Sequence, residues 1–333
     1  MRPGSWHGVS ELHIPNDISI RIPDKIEYTT YSPLIFMVTN KHINQFISRH
    51  KLPAGFHRLI REHYSPLINW LIRKRRVGKP LFIGISGAQG TGKSTLAKFL
   101  QLALTEDEGW HVAALSLDDF YLTRAERLKL SKTIHPLLST RGAPGTHDLK
   151  LLSSSIEQLV KLEPDHELAL PVFDKAKDDR ASVTAWPIVT GPVDLIILEG
   201  WCIGSTPQTP AALSQPVNDM EREMDPGGDW RRYVNQRLDK EYADLFAELD
   251  YLFYLQAPDF EAVLRWRLEQ EKKLAALSAP DDIGIMDRAQ VTRFLQHFER
   301  LTRANFISLP AIADIVLELD DHHDCIRSIY KTR

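Results

Sequence analysis

From residue 80 onward the apolar positions fall into short unbroken runs set between stretches of helical period. Leu81-Phe82-Ile83-Gly84-Ile85-Ser86 is the first run, and Leu96, Phe99, Leu100 and Ala103 repeat behind it at helical spacing. Four further runs cover His111 to Ser116, Val193 to Leu198, Tyr251 to Leu255 and Ile315 to Leu319. Runs that do not alternate suit strands covered on both faces. The pattern therefore predicts an α/β fold, a parallel sheet of about five strands flanked by helices. Helices are predicted over 230–247 and 259–277, on either side of the fourth strand. The Pro-, Thr-, Ser-, Asp- and Glu-rich stretch from Gly204 to Gly228 reads as a surface loop.

Upstream the character changes. Residues 1–40 carry scattered prolines and the alternating run Ile18-Ser19-Ile20-Arg21-Ile22, an extended segment with a strand or two. Residues 41–77 place Leu59, Ile60, Leu67, Ile68, Leu71 and Ile72 at helical steps and end in Arg73-Lys74-Arg75-Arg76. Those cations read first as a solvated helix C-terminus, and secondly as a patch that attracts phosphate. The division expected is an extension over 1–77, partly helical, and one domain over 78–333.

Composition narrows the class. The 333 residues hold 41 Lys+Arg and 44 Asp+Glu, a net charge of −3, which argues against a nucleic-acid partner. At 43% hydrophobic and 26% charged the chain is globular rather than disordered. No apolar run approaches the ~18 residues of a membrane span, and the first thirty residues lack the apolar core of a signal peptide. Early acids such as Glu11, Asp17 and Asp24 speak against an organelle transit peptide. A cytoplasmic protein without a membrane partner is expected. Two cysteines, Cys202 and Cys325, make no disulfide framework and no metal cluster.

The chemistry enters with Gly87-Ala88-Gln89-Gly90-Thr91-Gly92-Lys93-Ser94, which fits G-x-x-x-x-G-K-[ST] at every fixed position, between a buried strand and a helix. Glycines let successive backbone N–H groups turn inward onto phosphate oxygens, and the helix adds its positive end. The cradle from Gly87 to Thr95 is thus predicted to bind a nucleoside triphosphate, with Lys93 on the β- and γ-phosphates and the Ser94 hydroxyl on Mg²⁺. A second metal ligand should close a neighbouring strand at the same edge. Glu199 does so, whereas Asp194 opens that strand and belongs at the far end. Asp118 and Asp119, at the end of the second strand in Ser116-Leu117-Asp118-Asp119-Phe120-Tyr121, suit a general base for an attacking hydroxyl, or else cap a turn.

Ser-x-Asp-Asp-Phe-Tyr after such a loop resembles the uridine kinase, phosphoribulokinase and pantothenate kinase group. Arg141-Gly142-Ala143-Pro144-Gly145-Thr146-His147-Asp148, with Leu170-Pro171-Val172-Phe173-Asp174-Lys175 and Leu198-Glu199-Gly200-Trp201, is similar to the D-glycerate 3-kinase family over roughly residues 80–320. The resemblance implies a P-loop kinase fold with a lid, and transfer of the ATP γ-phosphoryl group to the 3-hydroxyl of D-glycerate. It makes Asp118 the base, places Asp119 and Tyr121 beside the small-molecule acceptor, and prefers Arg267 over Arg265 as the lid arginine. Phe173 departs from the tyrosine usual in plant relatives, and Ala176 to Asp179 is shorter than their Gly-rich run.

An anion with a carboxylate and hydroxyls calls for cations and hydrogen-bonding groups. Arg141, His147, Asp148, Lys175 and Arg180, between the second and third strands, are the candidates. Their plain alternatives are a Gly-Pro turn capped by Asp148 and solvated surface charge. Trp266, Phe294, Phe298 and Leu301 read as helix core, His322-His323 as a solvated strand end, and Cys202 as a small buried side chain. Other functions left open are a kinase of the same architecture for another acceptor, and an ATP-binding regulator that has lost transfer activity.

Overall fold

Six strands make the central sheet of the computed structural model, which describes residues 38–277 and 286–331, side chains of 274–277 excepted. In chain order the strands are β1 (Leu81–Gly87), β2 (Val112–Ser116), the short β3 (Glu167–Ala169), β4 (Phe173–Asp174), β5 (Asp179–Arg180) and β6 (Ile188–Thr190), then β7 (Leu195–Gly200), β8 (Tyr251–Gln256), β9 (Ile315–Leu319) and β10 (Cys325–Tyr330). The sheet order is β10-β9-β8-β1-β7-β2, with β3 and β6, and β4 and β5, forming two small antiparallel pairs outside it. All neighbours in the sheet run parallel except β9 and β10. β1 and β7 are buried at every position, as their unbroken apolar runs predict.

The sheet has one strand more than expected. β10 is antiparallel, lies at the edge and is interrupted by Arg327 and Ser328, with Ile326 and Arg327 exposed, so it lacks the apolar run that marks the inner strands. The small hairpins between β2 and β7 also escaped the pattern, because two- and three-residue strands carry no period.

Helices cover both faces. α1 (Asn40–Arg49), α2 (Phe56–Leu59) and α3 (Ser65–Lys74) precede β1, the last two joined by a π turn over Ile60–Tyr64. α4 (Lys93–Glu108) follows β1, and α5 (Arg124–Thr133) and α6 (Leu149–Val160) follow β2. After β7 come α7 (Asp219–Met224), α8 (Asp229–Arg237), a π turn over Leu238–Tyr242 and α9 (Ala243–Ala247). α10 (Phe260–Leu277) and α11 (Arg288–Ile312) lie between β8 and β9. Among the described residues no helix is long and apolar enough to cross a membrane.

One core packs α1, α3 and α4 against the sheet: Phe46, Leu67, Ile68, Leu71, Leu96, Phe99 and Leu100 join Leu81, Ile83 and Ile85. The helical part of the N-terminal extension is therefore built into the core, and Phe46 meets Phe99 edge-on at 5.2 Å. The extended segment expected within residues 1–40 lies, up to residue 37, outside the described residues. The basic end of α3 is exposed, as its first reading had it, and lies at the strand-start edge rather than beside the phosphate loop. Arg75 pairs with Asp194 and Arg76 with Asp250, each at 2.7 Å, at the starts of β7 and β8. Asp194 also accepts from the backbone N–H of His111 at 2.9 Å, the strand-start role expected for it.

The segment from Gly204 to Gly228 departs most from its reading as a surface loop. It contains α7, whose Glu221 is fully buried and takes two hydrogen bonds from Arg300, at 2.7 and 2.6 Å. Asp225 and Arg231 form a second buried pair at 3.0 Å. Removing one partner of a buried ion pair leaves the other uncompensated. Glu221→Ala should therefore lower unfolding free energy by about 3–5 kcal/mol, read as a fall in denaturant midpoint at unchanged slope. Exchanging both Glu221 and Arg300 for apolar residues of similar volume should cost less.

Candidate active site

The C-terminal edge of the parallel strands gathers the predicted chemistry. β1 ends at Gly87, and the loop turns into α4 with Gly90 at φ +84° and Gly92, the helix N-cap, at φ +91°. Gly90 is required sterically as well: an added Cβ would lie 2.9 Å from Cβ of Trp266 on α10. Thr91 donates its hydroxyl to the Ala88 carbonyl at 2.9 Å, and Lys93 Nζ donates to the same oxygen at 2.9 Å. Burial lowers the Lys93 pKa, while the nearby Glu199 and Asp118 carboxylates oppose that shift. The Gln89 side-chain oxygen is buried without a hydrogen-bond partner among the described residues.

Ser94 and Glu199 meet as the pattern required. The Ser94 hydroxyl donates to Glu199 Oε1 at 2.8 Å, and Glu199 stands in β7 opposite Ile85 of β1 and Ser116 of β2. Their oxygens fit a hard cation such as Mg²⁺, which takes few protein ligands and keeps waters and substrate phosphates. Among the described residues no group of three or more His, Cys, Asp or Glu could hold a metal ion.

Asp118 sits in the 3₁₀ turn Leu117–Phe120 that follows β2. Lys175, after β4, donates to its Oδ2 at 2.7 Å and Tyr121 to its Oδ1 at 2.7 Å. Burial disfavours the charged form of Asp118. The Lys175 ammonium and the two hydrogen bonds outweigh it and hold the carboxyl below its ordinary value. Asp119 shifts the other way, raised mainly by burial, and accepts from the Phe173 backbone N–H at 3.2 Å. It thus ties β4 to the turn.

A cleft of about 600 Å³ joins these elements. Its wall includes Gln89, Gly90, Lys93 and Ser94 from the loop, Asp118, Asp119 and Tyr121 from the turn, and Arg141, Lys175, Glu199 and Arg267. Arg141 is ion-paired with Asp178 and lies 5.5 Å above the Phe173 ring. Arg267 is ion-paired with Glu271 and faces the Phe294 ring at 5.8 Å. Arg265 instead pairs with Asp321 and does not line the cleft, which favours Arg267 as the arginine that reaches it.

Three acceptor candidates stand outside that wall. Asp148 caps α6 through the Leu151 N–H and pairs with Arg180 at 2.9 Å, so each occupies the other. His147 is buried, stacks on Tyr121 at 4.7 Å and places Nδ1 2.6 Å from the Tyr242 hydroxyl. The Tyr242 oxygen also accepts from the Gly145 N–H at 2.9 Å. Burial lowers the His147 pKa to about 4, which leaves the ring neutral. Trp201 donates to the Gly142 carbonyl at 3.0 Å and closes the cleft beside Phe298. Gly142, at φ +131°, leaves no room for a Cβ, which would lie 2.6 Å from Phe298.

Several participants were not anticipated. Tyr242 fixes His147 from the π turn after α8, where a helical pattern predicts only packing. The buried Arg127 holds the β4–β5 hairpin through Asp178 at 2.9 Å and also donates to the carbonyls of Leu122 and Ser139. Phe294 and Phe298 line the cleft as well as packing in the core. His323 is not simply solvated but stacks on Trp266 at 4.1 Å. Cys202 is buried as expected, and burial pushes its thiol well up, away from reactivity.

No protein-family model matches the chain. It is 36% identical over 228 residues to the uncharacterized kinase mug58 of Schizosaccharomyces pombe, across 66% of this chain and 79% of that protein. With the chloroplastic D-glycerate 3-kinase of Arabidopsis thaliana it shares 31% identity over 261 residues. That match takes in 74% of this chain and only 54% of the plant protein. The solved D-glycerate 3-kinase of Cryptococcus neoformans superposes with a TM-score of 0.64 at 29% identity, covering 76% of this chain and 90% of that one.

Gly90→Ala should destabilise the protein by about 1–3 kcal/mol, from the left-handed backbone and the contact with Trp266. Gly55→Ala, where nothing lies within 4 Å, should change it by less than about 0.5 kcal/mol. Denaturant unfolding of the two variants measures both.

Proposed function

The chain belongs to the P-loop kinase family that contains D-glycerate 3-kinase, and on that footing we propose that it transfers the ATP γ-phosphoryl group to the 3-hydroxyl of D-glycerate. The products are 3-phosphoglycerate and ADP. The observation that carries this reading is one cleft whose wall holds the phosphate-loop Lys93, the carboxylate of Asp118 and the cations Arg141, Lys175 and Arg267.

In this reading the loop amides and Lys93 take the β- and γ-phosphates, and Arg267 adds charge from α10. Ser94 and Glu199 would hold Mg²⁺ or its waters, and the ion supplies charge neutralisation on the phosphate oxygens when bound. Asp118 accepts the proton of the acceptor hydroxyl as its oxygen bonds the γ-phosphorus. The bond to the β–γ bridging oxygen breaks, and its electron pair leaves on ADP. A sequestered acceptor beside an oriented base turns a bimolecular encounter into a positioned one. The carboxylate of the acceptor would meet Lys175 or Arg141, and Tyr121 would keep Asp118 aimed.

Support for an anionic acceptor comes from the cleft's cations, which a nucleoside would not need; support for glycerate itself comes from its named relatives. A panel of D-glycerate, a nucleoside, pantothenate and a sugar phosphate, read by ADP release, tests the choice. Turnover with another member and none with D-glycerate would overturn it. Asp118→Asn should keep ATP binding yet lose about 10²–10⁴-fold of acceptor-dependent ADP release, the usual contribution of a general base.

A base acts when deprotonated, and the Asp118 carboxyl is held below its ordinary value. The pH profile of kcat/KM should therefore show no acid limb from this carboxylate above about pH 5.

A further inference from the structure

We propose that Lys175 links recognition of an anionic acceptor to release of the base: it pairs with Asp118 while the acceptor site is empty, and the acceptor's carboxylate draws it off. This inference rests on the phosphotransfer reading above, and it adds a reason why water competes poorly with the acceptor.

The geometry sets Lys175 apart from the other cations near the site. Arg141 is matched to Asp178 and Arg180 to Asp148, carboxylates with no part in proton transfer. Lys175 is matched to Asp118 itself, at 2.7 Å. With Tyr121 on Oδ1 and Lys175 on Oδ2, both carboxylate oxygens are engaged before any acceptor arrives. The Lys93 ammonium, on the wall of the same cleft, adds its field.

The pair can also exchange. The Lys175 side chain is 58% exposed and its stem is flexible, so a second carboxylate can reach the ammonium. Trading one carboxylate for another conserves the charge that the ammonium meets. The backbone below it stays fixed, because Asp174 accepts from the N–H groups of Ala176 and Lys177, and Arg127 grips Asp178. Only the side chain has to move. A neutral polyol offers hydroxyls but nothing to draw the ammonium away. The base would then remain neutralised toward it, as it does toward water. Without the restraint, water oxygen bonds the γ-phosphorus, the bridging bond breaks onto ADP, and the proton passes to Asp118 and on to solvent.

Lys175→Met, with Lys175→Gln as a second variant, separates the possibilities, and Lys177→Met serves as a control on the same hairpin. Lys177 pairs only locally with Asp174 and does not line the cleft. ADP release at saturating ATP is read without acceptor, with D-glycerate and with glycerol. The Lys175 variants should raise acceptor-free release about tenfold, the scale of removing one neighbouring opposite charge from a carboxylate. The preference for D-glycerate over glycerol should shrink together with that rise. Acceptor-free release that stays at the wild-type level, with only D-glycerate turnover lost, would make Lys175 a plain anchor and overturn the proposal. If the wild type phosphorylates no hydroxy acid, the glycerate reading fails separately, and the acceptor-free comparison still decides whether Lys175 restrains Asp118.

Discussion

Parallel strands place all their C-terminal ends on one edge, and in this protein β1, β2 and β7 deliver their last residues side by side. The backbone bend after β1 can then offer its amides and Lys93 within reach of Glu199 from one neighbour and Asp118 from the turn after the next. The constraint is geometric before it is chemical, since a strand register shifted by one residue would turn Glu199 to the opposite face. Burial of β7 at every position makes such a shift expensive, because apolar side chains fill both faces. Structural rigidity and the placement of the acids have the same cause.

That cause explains which parts of the molecule were readable from sequence. The inner strands announced themselves because strands covered on both faces must be apolar throughout. The phosphate loop did so because each of its positions has a steric or electrostatic task, and Gly90 against Trp266 is one such task made visible. Glu199 could be chosen over Asp194 by counting residues along a strand, and Asp194 lies at the opposite end, paired with Arg75. These inferences needed only local spacing and the direction of the chain.

What stayed illegible depends on partners distant in sequence. An acid in a polar segment gives no sign that it is buried, so Glu221 read as loop until Arg300, 79 residues away, was seen to hold it. Asp148 and Arg180 looked like two separate contacts for an acceptor, yet they neutralise each other across 32 residues. Tyr242 carried no motif, although its hydroxyl meets His147 Nδ1 and holds Gly145. Edge strand β10 was missed for the complementary reason, since exposure on one side removes the apolar run that identifies its neighbours.

The charges of the cleft follow a single pattern. In the cleft a neighbouring carboxylate holds each guanidinium in place, Asp178 for Arg141 and Glu271 for Arg267. Glu271 shows how far this reaches. It is buried, pairs with Arg267, and accepts from the Met286 backbone N–H at 3.0 Å. One carboxylate thus orients an arginine that lines the cleft with the phosphate loop and fastens the chain that leads into α11. Since Gly90 packs against Trp266, the residue before Arg267 on α10, any shift of that helix is felt at the loop and at the arginine together. Phosphate binding and the position of α10 are therefore one mechanical system, joined through two adjacent residues of the same helix.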